Sequence, residues 1–118
     1  MKKLLLCLAV GFATMANAQQ FEVVSIQRVK TGDRPTAYHP RFMPGGNTLM
    51  VCEQNYSGLG LVDIKKGEYK HLTDLNAAGY CPEVSEDGNL IVVREKDWDN
   101  LKVDLYKIDL KKETISPI

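Results

Sequence analysis

The chain has 118 residues, 44% of them hydrophobic and 25% charged, with 15 basic and 15 acidic side chains in balance. That balance, with no basic stripe, argues against nucleic acid or an anionic membrane surface as a partner. The composition is that of an ordinary globular chain with nothing low in complexity.

The N-terminus reads as a targeting segment. Lys2 and Lys3 precede an apolar run from Leu4 to Met15, and Ala16-Asn17-Ala18 supplies the small-x-small pattern of a signal-peptidase site. The run is shorter than the roughly 20 residues a bilayer-spanning helix needs. Residues 1–18 are therefore predicted to be a cleaved secretory signal that takes Cys7 with it, leaving Gln19 first. Because Lys2 and Lys3 leave too, the mature chain has 13 basic and 15 acidic residues and a net charge of −2. No transmembrane segment is predicted in residues 19–118.

Residues 19–37 follow as a strand and linker. FEVVSIQRVK, from Phe21 to Lys30, alternates as a β-strand does.

From Tyr38 the chain repeats itself. YHPRFMPGGNTLMV (38–51) returns 42 residues later as YCPEVSEDGNLIVV (80–93). Tyr38, Pro40, Gly46, Asn47 and Val51 meet Tyr80, Pro82, Gly88, Asn89 and Val93. A second block, LVDIKKGEYKHL (61–72), meets KIDLKKETISPI (107–118) at an offset larger by four. The extra length falls in the loop carrying Lys96-Asp97-Trp98-Asp99-Asn100. Two matched blocks around one insertion indicate duplication, with units at 38–79 and 80–118.

Each unit reads as four short strands. In the first, strands over 39–43, 48–53, 59–64 and 69–72 are separated by turns at Pro44-Gly45-Gly46-Asn47 and Lys65-Lys66-Gly67-Glu68. In the second, the turn Glu86-Asp87-Gly88-Asn89 is a strong hairpin signal. Strands over 90–94, 103–110 and 114–118 follow it. Gly46, Asn47, Asp87, Gly88 and Asn89 are assigned as structural turn residues. No sustained 3.6-residue periodicity occurs beyond the predicted signal, so the fold class is all-β.

Four strands in 42 to 46 residues is the period of a propeller blade. The pattern of Pro, an aromatic or aliphatic residue, Asp-Gly-Asn, an aliphatic run, an aliphatic-Asp-aliphatic strand, a Lys/Gly turn and Leu-Thr resembles the TolB-like (WD-like) β-propeller repeat over residues 39–118. The first unit departs from it at Gly45, where Asp is usual. The resemblance implies two four-stranded antiparallel blades plus an N-terminal strand, an incomplete propeller in which Phe21–Lys30 would close a ring. It also implies a bacterial, periplasmic or extracellular protein, non-enzymatic, with a binding or scaffold role toward a protein or envelope component. An alternative from the same resemblance is the first part of the propeller of a prolyl-oligopeptidase-like serine peptidase. A Gly-x-Ser-x-Gly elbow beyond the repeats would distinguish it, and none occurs in this sequence. Val51, Leu61, Val93 and Leu105 are expected on or near open blade faces, which predicts self-association.

The residues with chemistry are few. Cys52 and Cys81 lie at strand ends that can share one side of the sheet array; a disulfide and two separate thiols both remain open. His39 and Cys81 occupy equivalent places, each between a Tyr and a Pro. A metal site from His39, Cys81 and Cys52 has no close ligand pair and too few ligands for tetrahedral zinc, so channel lining or turn packing is the preferred role. The loop Asp97-Trp98-Asp99 gives a candidate ligand-facing group together with His39. It lacks the Gly and Glu of an EF-hand at the required places. Gly58-x-Gly60 lacks a third glycine and a following helix. No catalytic residue, cofactor or metal is predicted.

Overall fold

The computed structural model describes residues 22–33 and 36–118. The predicted signal and Phe21 lie outside the described residues. The described chain forms eight strands: β1 Tyr38–Phe42, β2 Thr48–Cys52, β3 Leu59–Asp63, β4 Glu68–Thr73, β5 Glu83–Val84, β6 Leu90–Asp97, β7 Lys102–Asp109 and β8 Thr114–Pro117. They build two four-stranded antiparallel sheets, each in simple sequential order.

The repeated polar residues hold the turns. Asp63 and Asp109, equivalent in the two units, accept the backbone N–H of Lys66 and Lys112 at 2.8 and 3.0 Å. Each carboxylate thus caps a β-turn between the third and fourth strands of its sheet. Asn47 and Asn89, also equivalent, use their backbone carbonyls to accept Ile64 N–H (3.1 Å) and Leu110 N–H (2.9 Å). The first turns close in the same way, Gly46 N–H on Met43 O and Gly88 N–H on Ser85 O. Gly88 sits at φ +74°, a region in which a Cβ is strained.

Alternation along the strands sorts the apolar residues. Met50 and Cys52 of β2 and Leu59 of β3 join Ile91, Val93 and Ile108 of the second sheet in one buried cluster. Ile91 is fully buried. The paired partners Ile91 and Ile108 lie side by side on this inner face. Arg41 crosses the junction and donates from Nη1 to Pro82 O at 2.8 Å.

One expectation is corrected. Val93 is 2% exposed and lies inside this cluster rather than on an open face, because it alternates with Val92 and so shares the side of Ile91. Val51 is also buried, and Leu61 is partly buried against the cluster, which leaves Leu105, half-exposed, as the open position of the four. The N-terminal segment, expected to lack its partner blade in this chain, stands apart from the sheets. Residues 22–31 join no strand ladder, and Val23, Val24 and Ile26 are exposed. A strand's N–H and C=O groups need a hydrogen-bonded neighbour, and no described strand pairs with this one. Its end does touch the first sheet: a Cβ on Gly67 would meet the Lys30 side chain, and one on Gly32 would meet the Tyr69 backbone.

Candidate functional site

The four-residue insertion in the second unit lengthens a hairpin. β6 and β7 are eight residues each, against five for their counterparts β2 and β3, and pair in register from Leu90↔Asp109 to Asp97↔Lys102. The tip is held by Asp97. Its Oδ1 accepts the N–H of Asp99 (3.0 Å) and Asn100 (3.2 Å), and its Oδ2 accepts Asn100 Nδ2 (2.7 Å). The Asn100 side-chain bond, foremost, holds the Asp97 carboxyl below the usual carboxylate range. This carboxylate is spent on its own turn.

The lengthened hairpin faces two loops. One carries Gln54–Tyr56, where Asn55 and Tyr56 adopt positive φ. The other runs from Asn76 to Tyr80. Backbone hydrogen bonds join all three parts: Gly58 N–H to Leu75 O, Gly79 N–H to Tyr56 O, and Lys96 N–H to Asn76 O, each at 3.0 Å. The fit beneath is close, because a Cβ on Gly79 would collide with the Cys52 side chain.

Between the hairpin and the loops lies a cleft of about 820 Å³, within the usual range for ligand pockets. Tyr56, Tyr80, Arg94, Lys96 and Trp98 line it. The Arg94 guanidinium lies over the Tyr80 ring at 4.6 Å, and the Lys96 ammonium lies over Trp98 at 3.8 Å. Both distances are those of cation–π contacts. Tyr80 meets Tyr56 edge-on at 5.2 Å, and Tyr56 in turn stacks on His39 at 4.1 Å.

His39 belongs to a second, smaller hollow that it lines with Cys81, Arg41 and Glu83, and Tyr56 is common to both. His39 and Cys81 share an unusual backbone, with φ of +51° and +49°, each directly before a proline. A proline favours extended backbone in the residue before it, and both units depart from that preference at this shared position.

Cys52 and Cys81 are free thiols, one buried and one exposed. Burial pushes the Cys52 thiol up, and its Sγ lies 3.6 Å from Tyr38 O. Among the described residues no three His, Cys, Asp or Glu side chains come together as a metal-ligating set.

Of the sequence-predicted site residues, Trp98 lines the main cleft and His39 the smaller one, while Asp97 serves the hairpin tip and Asp99 lines neither. Tyr56, Arg94 and Lys96 were not singled out by sequence reasoning. A signal for Arg94 existed. At the 42-residue offset it stands opposite Cys52, a core residue, so a charge replaces an apolar position.

The backbone overlays the crystal structure of TolB from Acinetobacter baumannii with a TM-score of 0.56 and 17% sequence identity, over 70% of this chain and 21% of that one. The two sheets are β-propeller blades. No family model and no curated protein matches the sequence. The chain spans 21% of the TolB chain it resembles, so the overlay concerns the blades and not a whole ring. No helix of the described residues is long and apolar enough to cross a membrane.

Proposed function

We propose that this chain is an exported, non-enzymatic binding or scaffold protein of the bacterial envelope, and that the cleft beside the lengthened hairpin is its binding surface. The observation that carries this reading is the set of Tyr56, Tyr80, Arg94, Lys96 and Trp98 gathered beside the hairpin that is lengthened in the second blade. Aromatic rings with polar or cationic tips are the side chains that anchor protein interfaces. Here they are held on a hairpin and on loops tied together by backbone bonds, which lowers the entropy lost on binding. Export rests on the basic start, apolar run and Ala-Asn-Ala of residues 1–18.

The test is retention of the purified chain on immobilised envelope extract. Trp98→Ala and Tyr80→Ala should each reduce retention severalfold with little change in melting temperature, since the two residues are 61% and 44% exposed. Equal retention of parent and variants overturns the assignment of this surface. N-terminal sequencing of the secreted product should begin at Gln19, and retention of Met1 in a membrane fraction would refute export with cleavage.

A further inference from the structure

The cleft is chemically one-sided. Arg94 and Lys96 are two residues apart on β6, so alternation puts both on the same face, above Leu105 and Val103 of the neighbouring strand. The acidic neighbours Glu95 and Asp97 project to the opposite face by the same alternation. Neither Asp nor Glu lines the cleft. The ion pairs among the described residues join Lys70 to Glu113, His71 to Asp74 and Lys102 to Asp104, and none involves Arg94 or Lys96. Two cations are thus held over aromatic rings with no carboxylate to answer them, in a chain whose predicted mature form is net acidic. The Gln54, Asn55 and Asn76 side chains add amide donors and acceptors to the walls.

Resting on the binding reading above, we propose that this cleft takes an extended acidic peptide segment whose carboxylates, on alternate residues, meet Arg94 and Lys96. The spacing selects the class. Residues i and i+2 of a strand lie about 7 Å apart, and an extended Glu-x-Glu segment presents its carboxylates at the same interval. Its main chain is of the kind the wall amides can bond, and apolar flanking groups can lie on Trp98 and Val103. Arg94 can hold its carboxylate with two parallel N–H donors, whereas Lys96 acts as a point charge.

Trp98 is the sole tryptophan of the sequence, so fluorescence excited selectively at tryptophan reports on this cleft. The purified chain would be titrated with acetyl-Glu-Ala-Glu-amide, its isostere acetyl-Gln-Ala-Gln-amide, and digalacturonate as an anion of another class. The Glu peptide is expected to give a saturable change that weakens with added salt, and the Gln peptide should bind at least about tenfold more weakly. Arg94→Gln and Lys96→Gln should each lose about tenfold for the Glu peptide, with Arg94→Lys recovering part of the loss. Melting curves of all three variants identify any that fails to fold. Equal affinity for the Glu and Gln peptides overturns the acidic preference while leaving the cleft a binding surface. Tighter binding of digalacturonate overturns the peptide assignment. No response to any of the three overturns both this inference and the choice of cleft.

Discussion

The two blades share a plan and differ at three places. On the face turned back along the chain, Leu49, Val51 and Val62 of the first blade correspond to Ile91, Val93 and Ile108 of the second. Val51, Val62 and all three of the second set are buried. On the face turned forward, Cys52 and Leu61 pack in the inter-blade cluster, whereas their counterparts Arg94 and Lys107 are cationic. The second blade also replaces Met43 and Gly45 with Ser85 and Asp87, and it carries the lengthened hairpin. The repeat is therefore kept on the face with which the second blade covers the first and altered on the second blade's forward face. Packing tolerates little volume change, while an exposed face tolerates charge at small cost.

The largest expected effect comes from the shared apolar face. Ile91→Ala removes a fully buried side chain from the junction of the blades and should cost about 3 kcal/mol, visible as a large fall in the denaturation midpoint. A loss below about 1 kcal/mol would mean that the blades are stable independently of their contact. The forward face gives a second test. Val103 and Leu105 are each 50% exposed and Ile118 is 73% exposed, so the purified chain is expected to self-associate through the open side of the second blade. Leu105→Lys should shift light scattering toward the monomer mass. A parent that is already monodisperse and monomeric, with a concentration-independent melt, refutes this use of the face.

The turns sharpen the comparison at an intermediate scale. Asn89 donates from Nδ2 to Asp109 Oδ1 (3.3 Å) and accepts Lys111 N–H at Oδ1 (2.9 Å), joining two turns of one blade. Asn89→Ala should cost about 1–2 kcal/mol. The equivalent Asn47 contributes through its backbone carbonyl, which an Ala retains, and Asn47→Ala should cost under about 0.5 kcal/mol. Equal losses at the two positions would show that the side-chain link is without weight. Gly88→Val tests the turn itself. A Cβ there would meet only Pro44 at an ordinary 3.7 Å, so the expected cost of about 1 kcal/mol is backbone strain at φ +74°. An unchanged melting temperature would mean that the turn relaxes without penalty.

What the sequence revealed follows from where each signal resides. Strand number and order were legible because alternation and Gly/Asn turns are local, and the repeat showed each element twice. The ends of β6 and β7 were not. Residues 95–97 and 102 are charged, and their pairing comes from hairpin extension across an insertion, which carries no hydrophobic alternation of its own. The alternation of residues 22–30 was legible too, but a partner for that segment is not something alternation can supply, and none of the described strands pairs with it. Trp98 stood out by rarity. Tyr56 and Tyr80 meet Arg94 and Lys96 only when two separate loops are folded against β6, and no spacing rule announces that.

The smallest expected effect concerns acid. Hydrogen bonds hold three carboxyls of the second blade below the usual range: Asp87 chiefly through the Ser85 hydroxyl, Asp97 chiefly through the Asn100 side chain, and Asp109 chiefly through the Lys112 N–H. A carboxyl whose folded pKa is depressed stabilises the fold at pH values above its unfolded pKa, near 3.9, and that contribution disappears as pH falls through the lower folded value. Stability should thus be flat from neutral pH down to about 5 as far as these groups are concerned, and decline below about 4. Solvent screening keeps each contribution modest. The informative variant is Asp109→Asn, which retains an acceptor oxygen near Lys112 N–H but cannot titrate. Its melting temperature should be lower than the parent's at pH 6, and its further drop on going to pH 3 should be smaller than the parent's. An acid drop as large as the parent's would show that the Asp109 turn is not among the groups that set the acid limit, and would leave Asp87 and Asp97 to account for it.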